Sequence, residues 1–244
     1  MLEGKRIVVT GAGRGIGRAI ARACARAGAV VGVNYRRSEE GARALAAEDP
    51  ARFVLLPFDV GDAEAVGAAV ARFREAQGRI DGWVNNAAVN HPALLLAAED
   101  DRIREQVAVN LVGPMVCARA VLPVMVEQRA GVILNVSSVA ATRPTRGQSV
   151  YAATKGGLES LTRALAVEYG RKGIRVHAIR PGPIVTDMMK ATSALAGETV
   201  VERTSLRRMG TPEDVAGLAV YLLSDQASFI TGSVHAVDGG YVES

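Results

Sequence analysis

The stretch Val8–Ile20, VVTGAGRGIGRAI, decides the fold of this 244-residue chain. A short apolar run ends in a loop that carries Gly11, Gly13, Gly15 and Gly17, and a segment with helical spacing follows. Glycine permits a tight turn and a close approach of the backbone to a pyrophosphate. The start of a helix supplies N–H donors and partial positive charge. This context predicts a Rossmann dinucleotide-binding site; the alternative is a glycine-rich turn needed only for packing.

Apolar strand-like runs and helix-like segments alternate along the rest of the chain without a break in composition. The predicted strands are 5–10, 29–35, 52–60, 80–88, 131–138, 174–182 and 233–240, and the predicted helices are 16–28, 38–48, 62–78, 99–129, 150–169 and 211–224. This alternation predicts a single α/β domain over residues 1–244, a doubly wound parallel sheet of about seven strands with helices on both faces. Residues 183–210 are predicted to be irregular.

Several residues are predicted to shape the ends of the helices. Ser38, Asp62 and Thr211 stand where a side chain caps a helix start. Pro114 and Pro123 are predicted to bend or divide the helix over 99–129.

Composition restricts the class of protein. Hydrophobic residues make up 49% of the chain, which indicates a globular protein. The net charge is +4, but the arginines do not cluster with aromatic residues, so no nucleic-acid partner is predicted. No apolar run approaches the ~20 residues of a membrane span, so no membrane is predicted either.

The cysteines, the histidines and the start of the chain bear on redox state, metal binding and location. Cys24 and Cys117 lie in predicted helices and are expected to be buried, inert thiols of a reducing compartment. His91, His177 and His235 have no metal-site context, so no metal is predicted. The chain starts directly into a strand with no signal-peptide pattern, and we expect a cytoplasmic protein.

Arginines follow the second predicted strand, at the position that selects between cofactors. A carboxylate about 20 residues beyond the glycine loop usually binds the ribose 2′-hydroxyl of NAD. Here Tyr35 stands at that point, Arg36 and Arg37 follow it, and Arg14 lies in the loop. Guanidinium groups suit a 2′-phosphate. The pattern favours NADP(H), with NAD(H) possible; the alternative is that these arginines line a solvated rim and both cofactors bind.

The predicted helix Val150–Tyr169 carries a second chemical pattern. Tyr151 and Lys155 are four residues apart, which places them on one helix face. A neighbouring ammonium group lowers the pKa of a phenol from about 10 and so prepares it for proton transfer. The alternative is an ordinary pair on a solvated face.

Motifs in order along the chain resemble the short-chain dehydrogenase/reductase family over essentially its whole length. They are Thr10–Gly17 (TGAGRGIG), Asp59, Asn85–Ala88 (NNAA), Asn110, Ser138 thirteen residues before Tyr151, Tyr151 with Lys155, Pro181–Met188 (PGPIVTDM), and VDGGY near the C-terminus. Ala88 and Ala141 depart from the family pattern, which has glycine there. A methyl group at these places narrows the pocket or shifts the backbone near the cofactor.

The resemblance implies hydride transfer between a nicotinamide and a carbonyl carbon. It assigns Tyr151 as the acid, Ser138 as the group that orients the carbonyl oxygen, and Lys155 as the group that lowers the Tyr151 pKa and binds the nicotinamide ribose. Asn110 holds a water that refills the proton. The alternatives are that Ser138 caps the next helix, although Ser137 fits that role more readily, and that Asn110 is a helix asparagine bonded to backbone. Thr10 is expected to bond to backbone rather than ligand.

The resemblance also implies the cofactor site. The residues assigned to it are Gly11, Arg14, Gly15, Ile16, Gly17, Tyr35, Arg36, Asp59, Val60, Asn86, Tyr151, Lys155, Pro181, Gly182, Ile184 and Thr186.

Within the family the chain looks most like the 3-oxoacyl-[acyl-carrier-protein] reductases, partly through its RRMGTPEDVA segment. The implied partner is then a carbonyl substrate, small or bound to an acidic carrier protein. Arg129, Arg171 and Lys172 are expected to border the active-site mouth and attract such a carrier; the alternative is ordinary solvated charge.

Other functions and the assembly remain open at this point. The second candidate is a sugar or secondary-alcohol dehydrogenase, and a third is a non-catalytic dinucleotide-binding protein. The segment Met189–Arg208 does not identify a ligand. The family resemblance implies a homotetramer.

Overall fold

The computed structural model describes residues 1–186 and 197–241. Its seven strands are β1 Arg6–Val9, β2 Val30–Tyr35, β3 Phe53–Pro57, β4 Gly82–Asn85, β5 Gly131–Val136, β6 Ile174–Pro181 and β7 Val234–Val237. They form one sheet in the order β3-β2-β1-β4-β5-β6-β7, and every pair is parallel. Ile7 of β1 pairs with Val31 on one side and Gly82 on the other. The predicted doubly wound parallel sheet is confirmed.

Helices cover both faces of this sheet. They are α1 Gly15–Arg26, α2 Glu39–Glu48, α3 Ala63–Gln77, α4 Asp100–Val107, α5 Gly113–Gln128, α6 Ser149–Tyr169, α7 Gly197–Glu202 and α8 Pro212–Leu223. Two hydrophobic cores result, one under α1, α2 and α8 and the other under α3, α5 and the end of α6. Consecutive residues of β1 alternate between the cores, since Ile7 and Val9 join the first and Val8 the second.

Two of the three predicted helix caps are confirmed. The Asp62 carboxylate accepts hydrogen bonds from Glu64 N and Ala65 N, and Thr211 forms a reciprocal capping box with Asp214. The side-chain cap predicted for Ser38 is wrong. Ser38 stands at the start of α2, but its backbone is not extended and its hydroxyl caps no amide.

The helix predicted over 99–129 is divided, and only one of its prolines lies at the division. A π-helical turn, Ala108–Val112, separates α4 from α5. Pro114 lies in the first turn of α5, where a missing N–H breaks no helical hydrogen bond. Pro123 stays inside α5 without ending it.

The same helical stretch corrects the expectation about membrane-length segments. Asp100–Gln128 is long enough to cross a membrane and contains an 18-residue window that is apolar enough, with a mean hydropathy of 1.7. Its apolar window is 56% buried inside the protein, because α5 packs into the second core. A core helix accounts for the pattern.

Part of the segment predicted to be irregular is ordered. Gly197–Glu202 forms the short helix α7, and Ile184 pairs with Gly210 in an isolated parallel bridge. Six residues are too few for a helical period to be recognised in sequence. Residues 187–196 lie outside the described part of the chain, and so does the beginning of the segment Met189–Arg208.

Candidate active site

The glycine loop between β1 and α1 leaves the N-terminus of α1 without a side-chain cap. Arg14 precedes α1 in extended conformation, and no side chain caps the helix from that position. Gly15 has a φ of 54°, in the left-handed region that favours glycine. A Cβ atom at Gly13 would lie 2.6 Å from the Ser38 carbonyl oxygen, and one at Gly17 would overlap the Asn86 side chain. Packing therefore demands glycine at two positions, and the open first turn of α1 fits a pyrophosphate.

Buried amide and hydroxyl groups hold this loop in place. Thr10 Oγ1 donates to Val84 O and accepts from Asn86 N and Ala87 N at 2.9 and 3.0 Å, so the prediction that Thr10 bonds to backbone is confirmed. Asn86 Nδ2 donates to Thr10 O at 2.8 Å.

Asn34 is a site residue that sequence reasoning missed. Its Oδ1 accepts from Gly11 N at 3.0 Å, and its Nδ2 donates to the carbonyls of Leu56 and Phe58. It therefore ties the glycine loop to the end of β3. The available signal was a lone amide in the otherwise apolar run VVGVNY.

The residues predicted to select the cofactor lie together at the end of β2. Arg36 Nη1 donates to Asp59 Oδ2 at 2.7 Å, and its Nη2 lies 3.7 Å from Glu105 Oε1. Burial raises the pKa of Asp59, but a hydrogen bond from Gly61 N and the Arg36 guanidinium outweigh it, and the pKa ends below its usual value. Arg37 and Arg14 are exposed and make no hydrogen bond or ion pair within the described residues.

Ser138, Tyr151 and Lys155 come together where β5 ends and α6 begins. Lys155 is buried, and its Nζ donates to Val136 O at 2.8 Å. Ser138 Oγ accepts from Ala140 N at 3.1 Å, so this serine does cap the short turn Val139–Ala141, and that bond does not use its own hydrogen. Ser137 bonds instead to Glu159 Oε1 at 2.8 Å.

Burial determines the protonation of the tyrosine and the lysine. Burial raises the pKa of Tyr151 above its usual value, while the neighbouring Ser138 hydroxyl lowers it by a smaller amount. Burial lowers the pKa of Lys155 to about 8. The expected depression of the Tyr151 pKa by Lys155 is therefore not found in this structure. The ammonium lies 5.6 Å from the centre of the phenol ring, and removal of the phenolate from water has the larger effect.

Asn110 lies in the π-helical turn and is completely buried. Its Oδ1 accepts from Val89 N and its Nδ2 donates to Val89 O, both at 2.8 Å. This pairing holds the chain just beyond β4, and it matches the alternative of an asparagine bonded to backbone. A role in proton relay stays a prediction.

The segment after β6 completes the site opposite α1. Gly182 N donates to Val237 O at 2.9 Å, and a Cβ atom at Gly182 would lie 2.6 Å from Asp238 Cα. The Thr186 methyl group lies 3.6 Å from the position of a Cβ atom on Gly15. The nicotinamide end predicted from sequence thus faces the glycine loop.

A cavity of about 590 Å³ joins these parts at the carboxyl ends of the strands, which is where open parallel sheets bind ligands. All the predicted catalytic and cofactor residues line it except Gly17, which packs beneath the loop, and Asn110. Ala88 lines the cavity, whereas Ala141 does not. Sequence reasoning missed the polar residues that line the cavity beyond Ser138 and Tyr151, which we call the substrate end. Two of them are arginines in the segment between Ser138 and Tyr151, and this position was the available signal. The missed residues are Asn90, Arg143, Thr145, Arg146 and Gln148.

The basic residues expected at the mouth of the site lie elsewhere. Arg129 comes directly before β5, and Arg171 and Lys172 come directly before β6. In a parallel sheet the starts of strands lie at the edge opposite their carboxyl ends. None of the three lines the cavity. The expectation is wrong for a single chain, in which these side chains are solvated charges remote from Tyr151.

Neither cysteine lines the cavity, and the described residues form no metal centre. Cys24 and Cys117 are buried, and burial raises the pKa of each thiol to about 12. Residues 1–186 and 197–241 contain no group of three or more His, Cys, Asp or Glu side chains placed to hold a metal ion.

Comparison with known proteins finds relatives along the whole chain. The family described as Enoyl-(Acyl carrier protein) reductase matches residues 11–242. The chain is 42% identical to the short chain dehydrogenase/reductase astE of Aspergillus oryzae, over 98% of this chain and 95% of that protein. It is 37% identical to the 3-oxoacyl-[acyl-carrier-protein] reductase FabG of Chlamydia muridarum, over 98% of both chains. Among solved structures, a gluconate 5-dehydrogenase from Burkholderia cenocepacia in complex with NADP and tartrate is 34% identical, with a TM-score of 0.93 over 98% of this chain and 96% of that one.

Proposed function

We propose, from the premise that this chain belongs to the short-chain dehydrogenase/reductase family, that it interconverts a carbonyl and a secondary alcohol with NADP(H). One observation carries this proposal: Ser138, Tyr151 and Lys155 line the same cavity as the glycine loop of α1. Membership of this family by itself identifies the chain as an oxidoreductase, from a family that binds a nicotinamide dinucleotide.

Different residues of the chain would bind the different parts of such a cofactor. The first turn of α1 would bind the pyrophosphate. Arg14, Arg36 and Arg37 would bind the adenosine ribose with its phosphate, and Asp59 and Val60 would contact the adenine. Pro181, Gly182, Ile184 and Thr186 enclose the nicotinamide. When bound, the reduced nicotinamide supplies the hydride.

Tyr151 and Ser138 act on the oxygen of the substrate. A carbonyl that accepts hydride develops negative charge on oxygen, which positioned donors stabilise. Because burial raises its pKa, Tyr151 is a neutral phenol near pH 7 and has a proton to give. Ser138 has a hydrogen to donate to the same oxygen. Lys155, fixed on Val136 O, provides the positive charge beside the tyrosine.

The first substrate candidate is a 3-oxoacyl group on acyl-carrier protein. It is supported by the FabG relatives of Chlamydia muridarum and of Thermotoga maritima, each 37% identical over nearly the full length. The second candidate is a sugar or secondary alcohol, which the gluconate 5-dehydrogenase likeness and the polar substrate end of the cavity support. A non-catalytic role is disfavoured because Asn110, Ser138, Tyr151 and Lys155 are all present.

We propose a homotetramer and a cytoplasmic location as well. The two unpaired buried thiols support the reducing environment of such a location.

Tyr151→Phe tests the proposed acid. We expect turnover to fall by about 10²–10⁴-fold, since general acid catalysis is worth that much, while the Kd for NADPH stays nearly unchanged. Activity is measured as NADPH oxidation with acetoacetyl-carrier protein. The same assay is run with NADH in place of NADPH, and a parallel assay follows the oxidation of glucose with NADP⁺. NADPH binding is measured by fluorescence titration. Tyr169→Phe, at the end of the same helix, is the matched control. A Tyr151→Phe variant with full activity would exclude the assignment.

A further inference from the structure

The substrate end of the cavity carries positive charge that the cofactor does not explain. Among the described residues that line the cavity, six are basic and only Asp59 is acidic. Arg14, Arg36 and Arg37 lie at the glycine-loop end, where cofactor phosphates account for them, and Lys155 belongs to the catalytic group. Arg143 and Arg146 remain, in the segment that connects Ser138 to Tyr151.

A firm turn presents Arg146. Gln148 N donates to Thr145 O at 3.2 Å, and the Gln148 side-chain oxygen accepts from Thr145 N at 3.1 Å. Gly147 has a φ of 83°, as the third residue of a type II turn requires, so Arg146 occupies the second position at its tip. Ala93 N donates to Gly147 O at 3.0 Å and fixes the turn to the segment beyond β4.

The two arginines differ in how far their charge is neutralised. Arg143 Nη1 donates to the Tyr241 carbonyl and lies 4.0 Å from Asp238 Oδ2, which fixes its position and offsets part of its charge. Arg146 is exposed and makes no hydrogen bond or ion pair with any residue that the structure describes. Its guanidinium has donors free for a carboxylate.

An unpaired acceptor lies on the wall of the same cavity. Asn90 Oδ1 is buried and has no hydrogen-bond partner among the described residues. A buried polar atom without a partner is unfavourable, and a ligand hydroxyl would pair with it once the Asn90 amide turns its oxygen toward the cavity. An unbranched acyl chain offers no such donor and gains nothing from Arg146.

We propose that this end of the cavity is a carboxylate subsite, in which Arg146 binds the carboxylate of a short oxo or hydroxy acid and the Asn90 amide turns to accept a hydrogen bond from one of its hydroxyl groups. Arg143 supports the field around the carboxylate. The carbonyl of the acid then lies at Ser138 and Tyr151. This inference rests on the proposed carbonyl–alcohol reaction and selects the second of its two substrate candidates.

Binding of tartrate and of gluconate to the enzyme saturated with NADPH tests the subsite without turnover, because these hydroxy acids offer no ketone for the reduced cofactor to reduce. We expect saturable binding by calorimetry, weakened about tenfold or more by Arg146→Ala, since hydrogen bonds between charged groups are strong. Arg146→Lys keeps part of the affinity as a point charge. Arg163→Ala, an exposed arginine on α6 outside the cavity, is the matched control and leaves it unchanged. No binding of either acid, or equal loss in Arg146→Ala and Arg163→Ala, overturns the subsite.

A second experiment separates this inference from the proposed function. NADPH oxidation is compared for acetoacetate and its uncharged methyl ester. We expect Arg146→Ala to raise KM for the acid, with little change in kcat, and to leave KM for the ester unchanged. Two outcomes would overturn the subsite but not the reaction. One is an equal effect of Arg146→Ala on the acid and on the ester. The other is Tyr151-dependent reduction of acetoacetyl-carrier protein alone, with no effect of Arg146→Ala. A lack of Tyr151-dependent oxidoreduction on every substrate overturns the reaction itself.

Discussion

The Arg36 guanidinium lies beside two carboxylates, and it also lines the part of the cavity where we expect the 2′-phosphate of NADP(H) to bind. Asp59 at 2.7 Å and Glu105 at 3.7 Å already oppose its charge. Glu105 also contacts His91 at 2.9 Å, and this hydrogen bond is the largest influence that lowers the Glu105 pKa. Arg37 carries no such pairing within the described chain. The positive charge available to a 2′-phosphate therefore resides mainly in Arg37 and Arg14, while Arg36 neutralises Asp59.

Replacing Arg36 and Arg37 together by Ala should weaken NADPH binding by about tenfold or more and change NADH binding little. Charge-assisted contacts to the 2′-phosphate are lost, and Asp59 is left unneutralised beside it. Fluorescence titration with both nucleotides measures the two Kd values. Among the single variants, Arg37→Ala should have the larger effect, and Arg43→Ala on the exposed face of α2 is the control. Equal effects on NADPH and NADH would rule out recognition of the 2′-phosphate here.

A buried ion pair joins α6, the helix that carries Tyr151 and Lys155, to β6. Glu159, one turn beyond Lys155, accepts from Arg180 Nε at 2.8 Å and from Arg180 Nη2 at 2.6 Å. Its side chain is 5% exposed and also accepts from Ser137, the residue before Ser138. The pair therefore sets α6, the end of β5 and the end of β6 relative to one another.

Glu159→Gln should lower the free energy of unfolding by about 3 kcal/mol, because loss of one partner leaves a largely buried guanidinium without its counter-charge. Glu39→Gln removes a carboxylate from an exposed pair with Arg43 on α2 and should change it by less than about 1 kcal/mol. Urea unfolding at one protein concentration measures both variants. Similar small losses in the two would show that the Glu159–Arg180 pair contributes no more than a surface pair.

The assembled molecule is expected to cover apolar side chains that one chain leaves in water. Phe229 and Leu96 are fully exposed, and Val167 on α6 is 84% exposed. Large apolar side chains in such positions are typical of surfaces that contact another protein when they form a patch. They lie at separate places, near the β7 edge, beyond β4 and on α6, so each is a separate candidate contact with another subunit.

Sedimentation equilibrium should give a mass four times the 25.5 kDa of one chain. Phe229→Asp should lower the assembly state, because a charged group in an apolar contact is desolvated without a partner. Gln226→Asp, an exposed polar residue three positions earlier, is the control and should leave the mass unchanged. A mass of two chains for the unmodified protein would contradict the tetramer.

Local patterns in the sequence were enough for the fold, and most of the site residues predicted from the sequence line the cavity. Apolar runs alternating with helical periods predicted the seven-stranded parallel sheet, and the glycines after β1 predicted the open start of α1. Parallel connections bring every strand's carboxyl end to one edge, so Asp59, Ser138 and Gly182 were expected together and line one cavity. The short helix α7 and the missing side-chain cap at Ser38 could not be predicted, because single packing contacts and six-residue elements leave no periodic pattern in the sequence.

Only the tertiary structure decided where charge lies and how it is paired. Arg129 and Arg171 proved to lie at the starts of strands, whereas Arg143 and Arg146 line the cavity, and all four are arginines in loops or at helix ends. Arg36 turned out to pair with Asp59. Burial, which no spacing reveals, raised the Tyr151 pKa against the expected effect of Lys155. Distances and solvent exposure set electrostatic energies, and both are properties of the folded chain.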